Sequence, residues 1–217
     1  MDEHLMQISD GKLYGANDMV KVGCHDCEGC SRCCHDMGES VRLDPHDIYL
    51  LMKNLNQTFE QLLANAVELH VEDGLILPNL KMQGEKNPVC SFLNEQGRCS
   101  IHGFRPGICR LFPLGRNYEE DRLRYFLLIH ACPVKNKSKM KVSKWLDCGN
   151  VKVYEKFLVE WHNFTKQLRA ELAGYAEDGA VKRLNMKFLQ IFYMKPYTTD
   201  DFYKEFYERL AEAIDKR

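Results

Sequence analysis

Residues 24–34 read CHDCEGCSRCC, which places five cysteines within eleven residues. Four of them, Cys24, Cys27, Cys30 and Cys33, follow one another at intervals of three residues. A hydrophobic core would use leucine or valine here, and a catalytic nucleophile would need one thiol. Several thiolates in one loop suit zinc or iron instead, because one ion or cluster needs several soft ligands at once. The stretch therefore predicts a metal-binding loop.

Five further cysteines follow in the sequence, and four of them lie in contexts that suit metal ligands. Cys90 and Cys99 flank a turn-forming segment, with Cys90 near the start of one strand of a predicted hairpin and Cys99 near the start of the other. Cys109 lies between two prolines on a short element, and Cys132 is followed directly by a proline. We interpret Cys148, which lacks such a context, as a buried free thiol. The candidate ligands are Cys24, Cys27, Cys30, Cys33, Cys34, Cys90, Cys99, Cys109, Cys132 and His102.

The composition of the 217-residue chain excludes several classes of protein. Apolar residues make up 45% and charged residues 28%, which is enough for a buried core and argues against disorder. The net charge of −1 provides no general attraction to nucleic acid or anionic lipid. Neither a signal peptide nor a run of ~18 apolar residues is apparent. We therefore predict a cytoplasmic protein without nucleic-acid or membrane partners, whose thiols bind metal and do not form disulfides.

Turn signals and apolar spacing predict the elements of the first two thirds of the chain. A short strand is expected at residues 19–22, and helices are expected to begin at Pro45 and after Thr58, where N-capping patterns occur. Residues 89–93 and 99–101 alternate like the two strands of a β-hairpin. Residues 71–88 are rich in glycine and proline and are expected to be extended or looped.

The character of the sequence changes at about residue 149, after the last cysteine. Helical patterns of apolar and aromatic residues begin at Val151, Val181 and Thr199. We therefore predict a cysteine-cluster metal-binding domain over 20–148 and a helical appendage over 149–217. The expected fold is mainly α with a minor β part, in which a small metal-stapled core with a β-hairpin precedes a helical C-terminal region.

Two separated motifs occur in order along the chain, C-x2-C-x2-C-C and then C-x8-C-x2-H-x2-R-P-x2-C-R-x-F-P. In both, the sequence resembles the CxxCxxCC cysteine-cluster family, whose name describes a zinc- or iron-chelating domain. The matching residues are Cys27, Cys30, Cys33, Cys34, Cys90, Cys99, Arg105, Pro106, Cys109, Arg110, Phe112 and Pro113. The resemblance covers about residues 24–135 and implies metal binding. The family also contains flagellin lysine N-methylases, so the resemblance extends to a protein-modifying activity.

The ligand pattern leaves an iron–sulfur cluster, zinc and other iron open. A [4Fe–4S] cluster commonly takes three thiolates from C-x2-C-x2-C and one from a remote cysteine before proline, which Cys27, Cys30, Cys33 and Cys132 reproduce. This favours iron–sulfur. Zinc is the alternative, because the pair Cys33-Cys34 must point its side chains apart and a histidine lies nearby. The thiols also exceed the need of one site, so two centres would fit.

Two arginines are candidates for neutralising such a centre. Four thiolates around a zinc ion or a cluster core leave a net charge of about −2, which is costly to bury without facing cations or N–H donors. Arg105 and Arg110 lie in the second motif, where proline restricts the backbone. We therefore expect both to lie in the second shell of the metal.

These features lead to two main hypotheses about function, with metal storage or delivery as a third, and the sequence does not decide whether the protein is an enzyme. The first is a cytosolic iron–sulfur protein that acts in redox chemistry or in protein (lysine) modification. The second is a non-enzymatic, zinc-stabilised interaction module whose aromatic C-terminal helices dock a protein partner or a second copy of the chain. Dinucleotide-binding, nucleoside-triphosphate-binding and hydrolase motifs are missing from the sequence.

Overall fold

The computed structural model describes residues 3–24, 27, 30–175 and 178–215. The α-helices are Glu3–Ile8 (α1), Pro45–Leu55 (α2), Phe59–Asn65 (α3), Gly107–Leu111 (α4), Val142–Leu146 (α5), Val151–Leu172 (α6), Asp178–Leu189 (α7) and Phe202–Asp215 (α8). The strands are Met19–Gly23 (β1), Val67–Glu72 (β2), Leu75–Leu80 (β3), Met82–Gln83 (β4), Val89–Cys90 (β5), Leu114–Glu119 (β6), Arg122–Leu127 (β7) and Ser138–Lys141 (β8). With 46% helix and 22% strand, the fold agrees with an α+β description, and the mainly α prediction is not confirmed.

Side chains cap the starts of three helices, and the caps of α2 and α3 lie where the sequence predicts them. Asp44 and Asp47 form a reciprocal capping box at the start of α2, and Thr58 and Gln61 form a second one at the start of α3. Asn150 accepts from the backbone N–H of Val153 and caps α6. None of the helices in the described ranges combines the length and apolar character needed to cross a membrane.

The strands pair as four antiparallel two-stranded sheets, β1–β8, β2–β3, β4–β5 and β6–β7. The β1–β8 pair is the long-range one, since it joins the segment before the cysteine-rich loop to residues 138–141. The strand predicted at 19–22 is confirmed as β1. Part of the lysine-rich segment after residue 135 is therefore ordered as β8.

The predicted hairpin of residues 89–93 with 99–101 is wrong in its pairing. Strand β5 pairs with β4, and the two predicted strands meet only at the bridge between Leu93 and Cys99. The side chain of Asn94 accepts hydrogen bonds from the backbone N–H groups of Gln96 and Arg98. The backbone N–H of Ser100 also donates to the Phe92 carbonyl over 2.8 Å, so the segment closes as a tight loop with one antiparallel bridge.

The hairpin of β2 and β3 was not among the predicted elements. Its turn is Asp73-Gly74, and both residues have positive φ angles, 48° and 80°. An Asp-Gly pair between apolar runs is a strong signal for this type of turn. Pro78 argued against a strand, but β3 accommodates it opposite Leu69 in a two-stranded ribbon.

One hydrophobic core includes residues from both predicted domains. Within it, the ring of Phe157 on α6 lies 4.7 Å from that of Phe206 on α8, centroid to centroid. The Tyr193 hydroxyl donates to the Leu43 carbonyl over 3.1 Å, which ties the helical region to the residues before α2. The boundary at residues 148 and 149 stays a prediction, but the packing across it is extensive.

Candidate metal centre

Seven cysteines line one small cavity. They are Cys27, Cys30, Cys33, Cys34, Cys90, Cys99 and Cys109. The cavity has a volume of about 20 Å³, whereas pockets for organic molecules measure about 300–1,000 Å³. It therefore excludes an organic molecule and suits an inorganic ligand. None of the ten cysteines of the chain forms a disulfide, and all ten lie in the described ranges.

Tight backbone turns bring the first group of thiols to the cavity. The N–H of Cys30 donates to the Cys27 carbonyl over 2.9 Å, and Cys27 has a positive φ of 59°. A 3-10 turn then carries Cys33 and Cys34, and the N–H of Cys34 donates to the Ser31 carbonyl over 2.8 Å. Although Cys33 and Cys34 are adjacent in the chain, both reach the same cavity.

The second group of thiols comes from three elements of the second motif. Cys90 ends β5 and is 5% exposed, and Cys99 forms the bridge to Leu93. Cys109 lies on α4, which begins directly after Pro106. The N–H of Gly107 donates to the Asp47 carboxylate over 2.7 Å, so the helix cap of α2 also positions α4.

Five thiols interact with one another and form what we call the inner group: Cys33, Cys34, Cys90, Cys99 and Cys109. The Cys34 thiol hydrogen-bonds to Cys33 and Cys99, which raises its own pKa. The same bonds are the main cause that lowers the pKa of Cys33 to about 7 and that of Cys99 to about 6. Two thiolates are thus favoured near neutral pH, which is the state that a metal requires.

Burial raises the pKa of three other thiols of the cavity, Cys27, Cys90 and Cys109. The pKa of Cys109 rises well above its usual value. The pKa of Cys27 rises to about 12, through burial and then through its hydrogen bond with Cys24 at a sulfur–sulfur distance of 3.6 Å. Without cations nearby, these sulfurs would resist ionisation.

Two arginines supply positive charge at the cavity. Arg105 lines it, and its guanidinium lowers the pKa of Cys27, Cys33 and Cys99. Arg98, which was not predicted, also lines the cavity and donates to the Cys27 carbonyl over 3.2 Å. Its position directly before Cys99 could have indicated from the sequence that it lies near the thiols. Arg98 and Arg105 therefore face the charge that thiolates develop.

Arg110 has a different position from the one expected for the second shell. Its guanidinium donates to the backbone carbonyl of Asp147 and, over 3.3 Å, to that of Arg105. It thus supports the backbone of Arg105 and faces a second cavity beside the cysteine cavity. His102 lines both cavities.

Three cysteines lie outside the cavity. Cys24 lies at its edge, against Cys27. Cys132 accepts a hydrogen bond at its carbonyl from Lys137, and the next residue, Pro133, shares a shallow surface depression with Cys30. Cys148 interacts with Arg110 and Glu155, away from the other thiols. As ligands, Cys24 and Cys132 remain predictions from the sequence.

The spacing of the sulfurs bears on the kind of metal. Among the described residues, no three thiols have sulfur atoms all within 4.8 Å of one another. A tetrahedral zinc site with Zn–S bonds of about 2.3 Å has sulfurs about 3.8 Å apart. A [4Fe–4S] cluster spreads its ligands wider, because each thiolate binds a different iron. The thiols thus meet in hydrogen-bonded pairs, such as Cys34 with Cys33 and Cys34 with Cys99, and no set of three has the spacing of a zinc tetrahedron.

One other cluster has metal-binding side chains, but its chemistry is different. Potential ligand atoms of Asp44, His46 and Asp47 lie within 4.8 Å of one another. Both carboxylates already accept backbone N–H bonds in the capping box, and Asp47 also accepts from Gly107. These hydrogen bonds account for the cluster as a helix cap and a tie to α4.

A small cavity lined by seven thiols and flanked by two arginines defines a cysteine-cluster metal-binding protein. The chain belongs to the CxxCxxCC family, since the family model, described as "Putative zinc- or iron-chelating domain", matches residues 26–141, just over half of its length. The match spans the cavity cysteines and leaves out Cys24, Cys148 and helices α6 to α8. No curated protein and no solved structure matches the chain.

Proposed function

We propose that this protein binds a [4Fe–4S] cluster in the cysteine cavity, with its four thiolate ligands drawn from the inner group. The observation that carries the proposal is the convergence of the inner-group thiols, of which no three have sulfurs within 4.8 Å of one another, whereas the sulfurs of a zinc tetrahedron lie about 3.8 Å apart. Arg98 and Arg105 support it, because a cluster with four thiolates has a net charge of about −2 that must be balanced.

When bound, such a cluster supplies one-electron redox chemistry. The residues of the chain would hold it, exclude water and tune its potential. Apolar side chains of Val41, Leu80 and Ile101 line the same cavity and lower the local dielectric. We therefore propose redox chemistry or a cluster-dependent protein modification as the activity. Modification of lysine rests on the family resemblance alone. The cytoplasmic location likewise stays a prediction.

The direct test is metal and sulfide analysis of the full chain, produced and kept without oxygen. We expect a brown protein with about four iron and four sulfide per chain. A colourless protein that carries zinc and no sulfide would contradict the proposal. Cys99→Ser should lose most of the iron, whereas Cys148→Ser, which removes a thiol outside the cavity, should retain it.

The alternative function is a zinc-stabilised interaction module. The small volume of the cavity favours it, since about 20 Å³ suits a single ion. The thiol pKa values near neutrality at Cys33 and Cys99 would also serve zinc. This protein would contain about one zinc per chain, have no redox activity and lose its fold when a chelator removes the metal.

The partner prediction belongs to this alternative. Most of the aromatic stripe of α6 is in the core, where Trp161 packs 5.1 Å from Phe192, so it does not form a free surface. The exposed candidate is a groove of about 340 Å³ between α6 and α7, with Phe164 and Phe188 in its wall. A second copy of the chain there would produce a dimer, and sedimentation that detects only monomer would exclude this form.

A further inference from the structure

A second cavity opens beside the cysteine cavity and is much larger, about 570 Å³. Its lining includes four cationic side chains, Arg105, Arg110, Lys135 and Lys144, and one acidic side chain, Asp147. We propose that this basic cavity binds a small organic or inorganic oxyanion with two or more negative charges, such as a phosphate or carboxylate compound. The proposal does not depend on which metal the thiols hold.

The charge in the basic cavity contrasts with that of the whole chain. Four cations, of which Arg105 also faces the thiolates, stand against one carboxylate in this concavity, whereas the 217 residues together have a net charge of −1. A concave surface with one sign of charge focuses the field and raises the local concentration of the opposite ion. Anions with several charges gain the most from such a field.

The two arginines are held in place, which distinguishes the site from a patch of mobile lysines. Arg110 donates to the backbone carbonyls of Asp147 and Arg105, and Arg105 contacts the His102 imidazole over 2.6 Å. A guanidinium has five N–H donors, so these bonds leave others for a ligand. Charge-assisted bonds from a fixed guanidinium fit the geometry of carboxylate and phosphate groups.

The position of the basic cavity connects it to the metal centre. Cys24, His102 and Arg105 line it, and the last two also line the cysteine cavity. An anion bound there would share the Arg105 charge with the thiolates. The volume lies within the range for organic ligands, which the cysteine cavity does not reach. A substrate or effector of the metal centre would thus approach it from this side.

The test uses four lysines of one segment, of which the outer two line the basic cavity and the inner two do not. Lys135 and Lys144 line the basic cavity, whereas Lys139 and Lys141 on β8 are exposed and do not. The double variants K135Q/K144Q and K139Q/K141Q therefore remove the same charge, but only the first removes it from the cavity. Pyrophosphate and citrate are titrated separately into the metal-loaded full chain by calorimetry at constant ionic strength, after the metal content of each sample has been measured.

We expect saturable binding of at least one probe to the native protein. K135Q/K144Q should weaken it by about tenfold or more, and K139Q/K141Q by less than about twofold. Binding of pyrophosphate alone would identify a phosphate ligand, and binding of citrate alone a carboxylate ligand. An absence of saturable binding would overturn the proposal. Equal weakening in both variants would also overturn it, because only general surface charge would then act.

Discussion

Arg209 is a buried cation that satisfies the backbone of the π-helical segment Gln190–Met194, which continues α7, and of the two residues after it. Its side chain is 3% exposed, and it donates to the carbonyls of Ile191, Lys195 and Pro196 at 2.7 Å each. The last carbonyls of a helix have no partner within the helix, so they need such donors. Glu205 on α8 pairs with the same guanidinium. One residue thus joins the π-helical segment after α7 to α8.

Replacing Arg209 with lysine should lower the free energy of unfolding by about 2–4 kcal/mol, because one ammonium cannot reach all three carbonyls. Chemical denaturation of the metal-loaded protein measures this difference. Arg183→Lys on the exposed side of α7 is the matched control and should change the free energy by less than about 0.5 kcal/mol. Equal effects of the two substitutions would mean that the hydrogen bonds of Arg209 contribute little.

His46 is a second residue whose environment has a consequence for stability. The aromatic rings of Phe202 and Tyr203 lie 4.8 and 5.5 Å from its imidazole, and Tyr49 and Tyr154 lie within 6.2 Å. Burial lowers the pKa of His46, and Arg110 adds to this, whereas the negative charge of Asp44 opposes it. The folded protein therefore favours the neutral imidazole.

This depressed pKa predicts a pH dependence of folding. The unfolded chain, in which histidine has a pKa of about 6.5, binds the proton more tightly than the folded one. The contribution of the neutral, buried His46 to the free energy of unfolding is present above about pH 6.5 and is lost as the pH falls below that value. The unfolding free energy of the native protein should fall more steeply between about pH 7 and 5 than that of His46→Phe, by at most about 1.4 kcal/mol per pH unit. Parallel pH profiles would contradict this.

Among the elements, α2 and α4 are joined through one side chain. Asp47 accepts from the N–H of Asp44 at its own helix start and from the N–H of Gly107 at the start of α4. Burial, followed by the charge of Asp44, raises the pKa of Asp47 to about 8. Since Cys109 lies on α4, the capping residue of one helix determines where a thiol of another reaches the cavity.

Asp47→Ala should destabilise the protein by about 2–4 kcal/mol, because it leaves two buried N–H groups without acceptors. It should also weaken metal retention during dialysis against a chelator, since α4 loses its anchor. Thr58→Ala removes the exposed capping box of α3 and should cost about 1 kcal/mol with no effect on the metal. If both variants retain metal equally, Asp47 does not position the cysteine cavity.

Contacts between segments that are distant in sequence connect the whole molecule. Strand β1, which leads into the cysteine-rich loop, pairs with β8, and β7 contacts α6 through the hydrogen bond from Tyr125 to Glu155. The aromatic rings of α6 and α8 pack into the same core as the strands. The cysteine-bearing part and the C-terminal helices are therefore expected to unfold together.

Trp161→Phe makes this expectation measurable, because it leaves Trp145 as the remaining tryptophan. Trp145 is buried beside α4, where its indole donates to the Leu111 carbonyl over 3.1 Å. Its fluorescence reports the unfolding of the cysteine-bearing part. Far-ultraviolet circular dichroism is dominated by the long C-terminal helices and reports their unfolding. Both signals should give one coincident denaturant transition. Two separate transitions would instead support an independent domain boundary near residue 148.

The sequence by itself determined the features that depend on neighbouring residues. The capping boxes at Asp44 and Thr58 and the helix from Val151 are local, so their residue types suffice to predict them. The two cysteine motifs likewise indicated the family. The hairpin at Asp73-Gly74 was within reach of the same reasoning, but the proline in its second strand outweighed the turn signal.

Only the tertiary structure decided which thiols meet. Cys33 and Cys109 are separated by many residues, and they come together because Asp47 holds α4 and because β1 pairs with β8. The same packing leaves Cys132 outside the cavity, although its sequence context matches that of a ligand. It also brings cations from the second motif and the segment around β8 to one basic cavity. Which thiols and cations lie close together depends on long-range packing, and the spacing of residues in the sequence does not specify that packing.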